Sequence, residues 1–116
     1  VAGGAAWTSG CGRSGSMTDP FRLTEKEFTQ QVLDLAAANR WKLRYHTWRS
    51  DHSAAGFPDL VLVRLSRIIF AELKTNFVLK VNSAQQEWLD GLQLTGKVEV
   101  YLWRPRDWKD IEALLA

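Results

Sequence analysis

The stretch from Gly56 to Thr75, GFPDLVLVRLSRIIFAELKT, constrains the fold more than any other part of the chain. It contains two apolar runs, DLVLVRL and RIIFAEL, separated at Ser66-Arg67. Each run is apolar at consecutive positions, the pattern of a strand covered on both faces at the centre of a sheet. A tight turn between them makes an antiparallel hairpin. Charges at the mouths of buried strands are costly unless something uses them. Here they are Asp59, directly after Pro58, and Glu72 and Lys74 at the end of the second run.

The flanking segments supply the rest of a sheet and its cover. Phe28, Val32, Leu35, Ala36 and Asn39 fall on one helical face. Thr24 with Glu27 three residues on reads as a capping box, and Asn39 is placed to end the helix in the left-handed conformation. WKLRYHTW then alternates in the manner of a strand, and RSDHSAAG is a polar loop of the kind that carries function. VNSAQQEWLDGLQLTG predicts a second helix with Asn82 as N-cap, Gln85 at its third position and Gly96 as its stop. KVEVYLW predicts a strand, and DWKDIEALLA a closing helix capped by Asp107. The order α-β-β-β-α-β-α allows a parallel crossover between the third and fourth strands. An α/β fold follows, with a mixed central β-sheet flanked by helices on both sides.

Residues 1–16, VAGGAAWTSGCGRSGS, are small, rich in Gly and Ser, and aperiodic. They read as a flexible leader or an artificial remnant, with Met17 as the natural start and 17–116 as a single domain. The formal charge of +2 is near neutral, so bulk charge does not announce a polyanionic partner; buried acids can mask a basic patch. A lone Cys11 excludes an internal disulfide and a cysteine zinc site. No stretch approaches the roughly 20 apolar residues of a membrane span. The first residues lack the blocks of a signal peptide, so a cytoplasmic location is expected.

Alternation along the second apolar strand puts Ile68, Phe70, Glu72 and Lys74 on one face. A turn at Ser66-Arg67 sets Asp59 opposite Lys74 and Val61 opposite Glu72, with Asp59 and Glu72 diagonal on one face. Diagonal neighbours lie about 7–8 Å apart at the backbone, within reach of a shared ion. Two carboxylates and a backbone carbonyl suit a hard cation such as Mg²⁺. A neighbouring lysine can orient or deprotonate a water and offset charge on a phosphate. The simpler reading is a cross-strand Asp59–Lys74 ion pair with Glu72 turned to solvent, and spacing alone leaves the two even.

PD followed at a distance by ELK resembles the signature of the PD-(D/E)XK nuclease superfamily. The wider run of blocks is similar to the small stand-alone VRR-NUC domains of phages and bacteria. Those blocks are TEKEF, YH, GFPDLVLV, IIFAELKT, SAQQEWLDGL and VYLWRP, spread in order over residues 23–116. The resemblance implies a restriction-endonuclease-like core and a Mg²⁺-dependent endonuclease, with Mn²⁺ as substitute. Asp59, Glu72 and the Leu73 carbonyl would hold the metal, and Lys74 would position or activate the water. Glu27 would be a further acid at the metal, although the capping box competes for the same carboxylate; Glu25 is the alternative. Gln85 matches a family glutamine and would contact the site or the DNA backbone, against a plain capping role, with Gln86 as competitor. His46 and His52 have no metal-ligand spacing and are read as structural. The loop before GFPD departs from the family pattern and is assigned no catalysis.

Lys42, Arg44, Arg49, Lys80 and Arg104 flank strand ends and are candidate phosphate contacts. Trp41, Trp48, Trp103 and Trp108 suit stacking on unpaired bases, with at least half of them expected in the core. No base-reading motif is present, so recognition of DNA shape at branches, flaps or Holliday junctions is expected. Two symmetric cuts need two sites, hence a homodimer. A phage-encoded protein of this kind would work in the bacterial host cytoplasm, in DNA repair or recombination. The alternatives are a less selective nuclease or nickase acting with a partner, a nucleic-acid-binding module with weak or no turnover, and a structural domain.

Overall fold

A computed structural model describes residues 22–47, 53–78 and 80–116. The leader expected at 1–16, and Met17, lie outside the described residues. The first helix, α1 (Glu25–Ala38), opens with the expected capping box: Thr24 Oγ1 accepts from the Glu27 amide at 3.1 Å, and Glu27 Oε1 accepts from the Thr24 amide at 2.9 Å. Phe28, Thr29, Val32, Leu35 and Ala36 form its buried stripe. The helix does not end in a left-handed Asn39, whose φ is −97°. The next residue, Arg40, takes that conformation at φ 67°. The Arg40 amide donates to Ala37 O and the Trp41 amide to Ala36 O, the paired bonds that close a helix one residue beyond its cap. The strain of a left-handed arginine is offset because the turn delivers Trp41 fully buried into the core, its Nε1 donating to Leu115 O at 2.9 Å.

Four strands follow in spatial order β1-β2-β3-β4: β1 (Leu43–His46), β2 (Leu60–Arg64), β3 (Arg67–Leu73) and β4 (Glu99–Trp103). The first three are antiparallel, and β4 runs parallel to β3 after the crossover helix α2 (Ser83–Leu94). The hairpin turn is Leu65-Ser66, one residue earlier than expected, with Leu65 at φ 55° and its side chain 93% exposed. Leu60 therefore pairs with Ala71 and Arg64 with Arg67. Continued outward, that register sets Asp59 opposite Glu72 rather than opposite Lys74. The slip is of two positions, so every side chain keeps its face and the carboxylates come closer than the diagonal expectation. Arg67 is held in the strand by a bidentate pair with Glu99, at 2.6 and 2.8 Å, and by a bond to Leu114 O. That hydrogen-bonded guanidinium holds the Glu99 carboxyl below its ordinary range.

Leu60, Leu62, Ile69, Ala71, Leu73 and Trp103 turn one sheet face toward α1 and the C-terminal helix α3 (Trp108–Leu115), forming the main core with Phe28, Val32, Ile111 and Leu115. On the opposite face Phe57 bridges Trp88 of α2, at 5.0 Å between ring centroids, and Phe70 of β3, at 6.3 Å. That second face is only partly covered. Leu43 and Tyr45 of the edge strand β1 are 64% and 55% exposed, and Ile68 of β3 is 38% exposed, so β3 is less enclosed on this face than its composition suggests. Asp107 does not cap α3 with its side chain; a 3₁₀ turn (Pro105–Asp107) precedes the helix, and Asp107 Oδ2 accepts from the Arg104 amide at 2.9 Å. Among the described residues no helix is long and apolar enough to cross a membrane.

Candidate active site

The carboxyl ends of β3 and β4 and the N-termini of α1 and α2 meet at one end of the sheet, the usual ligand-binding end of such folds. Pro58, fully buried, leads Asp59 onto this end. Asp59 Oδ2 accepts from the Leu73 amide at 2.8 Å, and its backbone carbonyl accepts from the Thr47 amide at 2.9 Å. The hairpin mouth is thus closed by an aspartate instead of a ladder bond. Glu72, only 1% exposed, stands beside it. Its Oε2 accepts from Gln85 Nε2 at 2.8 Å and lies 3.8 Å from Lys74 Nζ. Its Oε1 is buried without a hydrogen-bond partner.

That environment disfavours ionised Glu72. Burial, then the charge of Asp59, pushes its carboxyl up to about 8 from 4.5, against the opposing pull of Lys74. Glu25, on the first turn of α1, is raised by burial and by Asp59 and is likewise opposed by Lys74. Three carboxylates and one ammonium therefore share a single electrostatic neighbourhood: Glu25, Asp59, Glu72 and Lys74. Glu27 stands apart, its carboxylate turned back onto the Thr24 amide on the exposed side of the helix. The cap and the site select different glutamates. In α1 the cap occupies the Glu27 carboxylate, and Glu25 is the glutamate that shares the field of Asp59 and Lys74.

Gln85 does both things expected of it, one with each end of its amide. Its Oε1 accepts from the Asn82 amide at 2.9 Å while its Nε2 donates to Glu72. Gln86 instead bonds Asp90 in the next turn, at 2.8 Å, exposed to solvent. The loop before Asp59 presses against this helix end. A Cβ on Gly56, whose φ is +80°, would meet Ala84 C at 2.3 Å and the Gln85 amide nitrogen at 2.6 Å. Only glycine permits that approach, which sets where Gln85 sits relative to Glu72. An open cavity of about 520 Å³ extends from these groups, with Lys26, Thr29 and His46 on its walls.

The expected phosphate contacts are scattered. Arg104 is 7% exposed, and its Nη1 donates to Thr75 O at 2.8 Å and to Val78 O, so it clamps a loop from inside and is not a surface contact. Lys42 borders a separate cavity with Arg40 and Arg64, and Arg44 donates to Trp41 O at 2.7 Å from an exposed position beside Asp34. Lys80 is exposed on the segment between β3 and α2, while Arg49 and Trp48 lie outside the described residues. Trp41 and Trp103 are core residues, 0% and 3% exposed, and give no stacking surface. Among the described residues, no group of three His, Cys, Asp or Glu side chains forms a ready-made metal cage.

No family profile matches the chain, and no curated protein matches it either. A solved structure described as a VRR_NUC domain protein superposes on it with a TM-score of 0.57 at 19% identity, over 80% of this chain and 85% of that one. The likeness is one of fold: the mixed four-stranded sheet between helices is a restriction-endonuclease-like core of the VRR-NUC kind.

Proposed function

We propose that the chain is a metal-dependent endodeoxyribonuclease that hydrolyses phosphodiester bonds in branched DNA such as Holliday junctions. The observation that carries this reading is Glu72: a carboxyl 1% exposed and crowded by Asp59, so that burial and the neighbouring carboxylate both disfavour its ionised form. A purely structural ion pair would satisfy both oxygens and would not set three carboxylates against one lysine. The donor set fits a hard divalent cation, since its donors are oxygens and their mutual repulsion is what a cation relieves. Asp59, Glu72 and the Leu73 carbonyl would hold it, with Glu25 rather than Glu27 adding negative charge to the same neighbourhood. When bound, Mg²⁺ or Mn²⁺ supplies electrostatic stabilisation of charge developing on the phosphate oxygens.

The chain's own groups do the remainder. Gln85 fixes Glu72 through Oε2 and does not engage Oε1. Asp59 is held by the Leu73 amide, so its second oxygen is pre-oriented. The Lys74 ammonium, 14% exposed, would orient the attacking water and offset phosphate charge. The N-termini of α1 and α2 add positive potential at the same end. A homodimer would supply two sites for paired cuts, and the partly uncovered face with Leu43, Tyr45 and Ile68 offers apolar area for it.

The test is cleavage of labelled four-way junction, flap, single-stranded and linear duplex DNA in Mg²⁺, Mn²⁺ or EDTA. The proposal expects junction or flap cutting in either metal and none in EDTA. Equal cutting of every substrate removes the branch selectivity and keeps the nuclease. Tight binding without cutting under any condition would favour a binding module. A sedimentation mass of one chain at working concentration would remove the dimer.

A further inference from the structure

Strand β3 ends at Leu73, so Lys74 sits one residue beyond the strand that carries Glu72. The exit of β4 is what holds its backbone. The Lys74 amide donates to Trp103 O at 3.0 Å, continuing the β3–β4 ladder by one bond. The Arg104 guanidinium takes the following residues, its Nη1 donating to Thr75 O at 2.8 Å and to Val78 O. The Arg106 amide donates to Asn76 Oδ1 at 3.1 Å. Arg104 is itself braced, its amide donating to Asp107 Oδ2 at 2.9 Å and its carbonyl accepting from the Asp107 amide at 2.8 Å. A cation only 7% exposed is costly unless its donors are used, and here two carbonyls of one short segment use them.

We propose that Arg104 is the positioning residue for Lys74, setting where the ammonium stands against Glu72. This rests on the proposed role of Lys74 and deepens it by naming what keeps the ammonium in place. The Lys74 Nζ lies 3.8 Å from Glu72 Oε2, near the outer limit of an ion pair at about 4 Å, so a small shift of the backbone beneath it breaks the contact. The two hydrogens of Nη1 lie in the plane of the guanidinium, one for each carbonyl, and hold Thr75 and Val78 at a fixed separation. The chain leaving Lys74 is thereby fixed in direction. A lysine at position 104 would keep the charge but present it as a point on a flexible stem, without the rigid fork.

The experiment follows acetylation of each lysine by N-hydroxysuccinimide acetate, read by mass spectrometry in EDTA without DNA and well below the melting temperature of each protein. The proteins are wild type, Arg104→Met and Arg104→Lys; the exposed Lys42, Lys97 and Lys109 are internal references. With both carbonyl bonds lost in Arg104→Met, Lys74 should react at least about fivefold faster and the references stay within about twofold. Arg104→Lys should fall between Arg104→Met and wild type. Flap cleavage in Mg²⁺ should show kcat at least about tenfold lower in Arg104→Met with KM within about threefold, the split expected of a displaced group. Wild-type labelling of Lys74 in Arg104→Met, or in Arg104→Lys where Arg104→Met does not fold, would overturn the proposal. So would a raised KM with kcat unchanged, or faster labelling of all four lysines alike. A protein that labels as expected and cuts nothing in Mg²⁺ upholds the clamp on Lys74 while the nuclease reading fails.

Discussion

Replacing Glu72 with glutamine should stabilise the metal-free protein in alkaline solution and abolish a pH dependence the wild type must show. The Glu72 carboxyl titrates near 4.5 in the unfolded chain and near 8 in the fold. Below about pH 4.5 both states hold the proton and the group's contribution to stability is complete. Between the two values the fold keeps the proton and the unfolded chain releases it, so stability falls as pH rises. Above about 8 both are ionised and the loss is complete. At about 1.4 kcal/mol per pH unit, the window corresponds to on the order of 5 kcal/mol, an upper figure because rearrangement of Asp59, Lys74 and entering water relieves part of the cost. A glutamine side chain is a near-isostere of the neutral acid, able to keep an oxygen toward Gln85, and does not titrate. Urea unfolding in EDTA from pH 5 to 8.5 reads the difference directly. The two proteins should be close at pH 5 and diverge with pH, the variant becoming the more stable by a few kcal/mol. Mg²⁺ at pH 8.5 should then stabilise the wild type and leave the variant unmoved. Parallel curves for the two proteins across this range would mean that Glu72 does not titrate between the two states.

Other outcomes follow from the same geometry. Gly56→Ala forces a methyl into the backbone of Ala84 and Gln85 at positive φ; urea midpoints should show a loss of at least about 2 kcal/mol, with cleavage reduced even where the protein is folded. Arg40→Gly relieves a left-handed arginine at the end of α1 and should raise stability by roughly 1 kcal/mol in the same assay. Glu25→Gln should reduce Mg²⁺-dependent cleavage at least tenfold with little change in melting temperature. Glu27→Ala should do the reverse, costing about 1 kcal/mol of helix capping and leaving turnover intact.

Local physics made the helix starts legible. The boxes at Thr24–Glu27 and Asn82–Gln85 are built from residues three apart, and both form as the sequence implies. The hairpin was legible because alternation survives an even slip. Its turn lies one residue earlier than the apolar pattern suggests because the Arg67–Glu99 pair, 32 positions apart in sequence, draws Arg67 into the strand. Distance in sequence also hid Arg104, whose carbonyl partners lie 26 and 29 residues upstream and turn a candidate phosphate contact into an internal clamp. The helix end moved from Asn39 to Arg40 because burying Trp41 outweighed the preference for a left-handed asparagine. At the site, Asp59, Glu72 and Lys74 are brought together as strand alternation suggested. Which glutamate of α1 joins them depended on the cap claiming one of the two, a competition that composition cannot decide.

On the proposed function, Glu72 is kept at a cost to the stability of the fold because it would hold a catalytic cation. Cleavage of a flap or four-way junction in Mg²⁺ at pH 8, by wild type and by Glu72→Gln, measures this most directly, with melting followed on the same samples in EDTA. The variant should melt higher than the wild type in EDTA and yet cut at least about a hundredfold more slowly. A variant that cuts at the wild-type rate would contradict it.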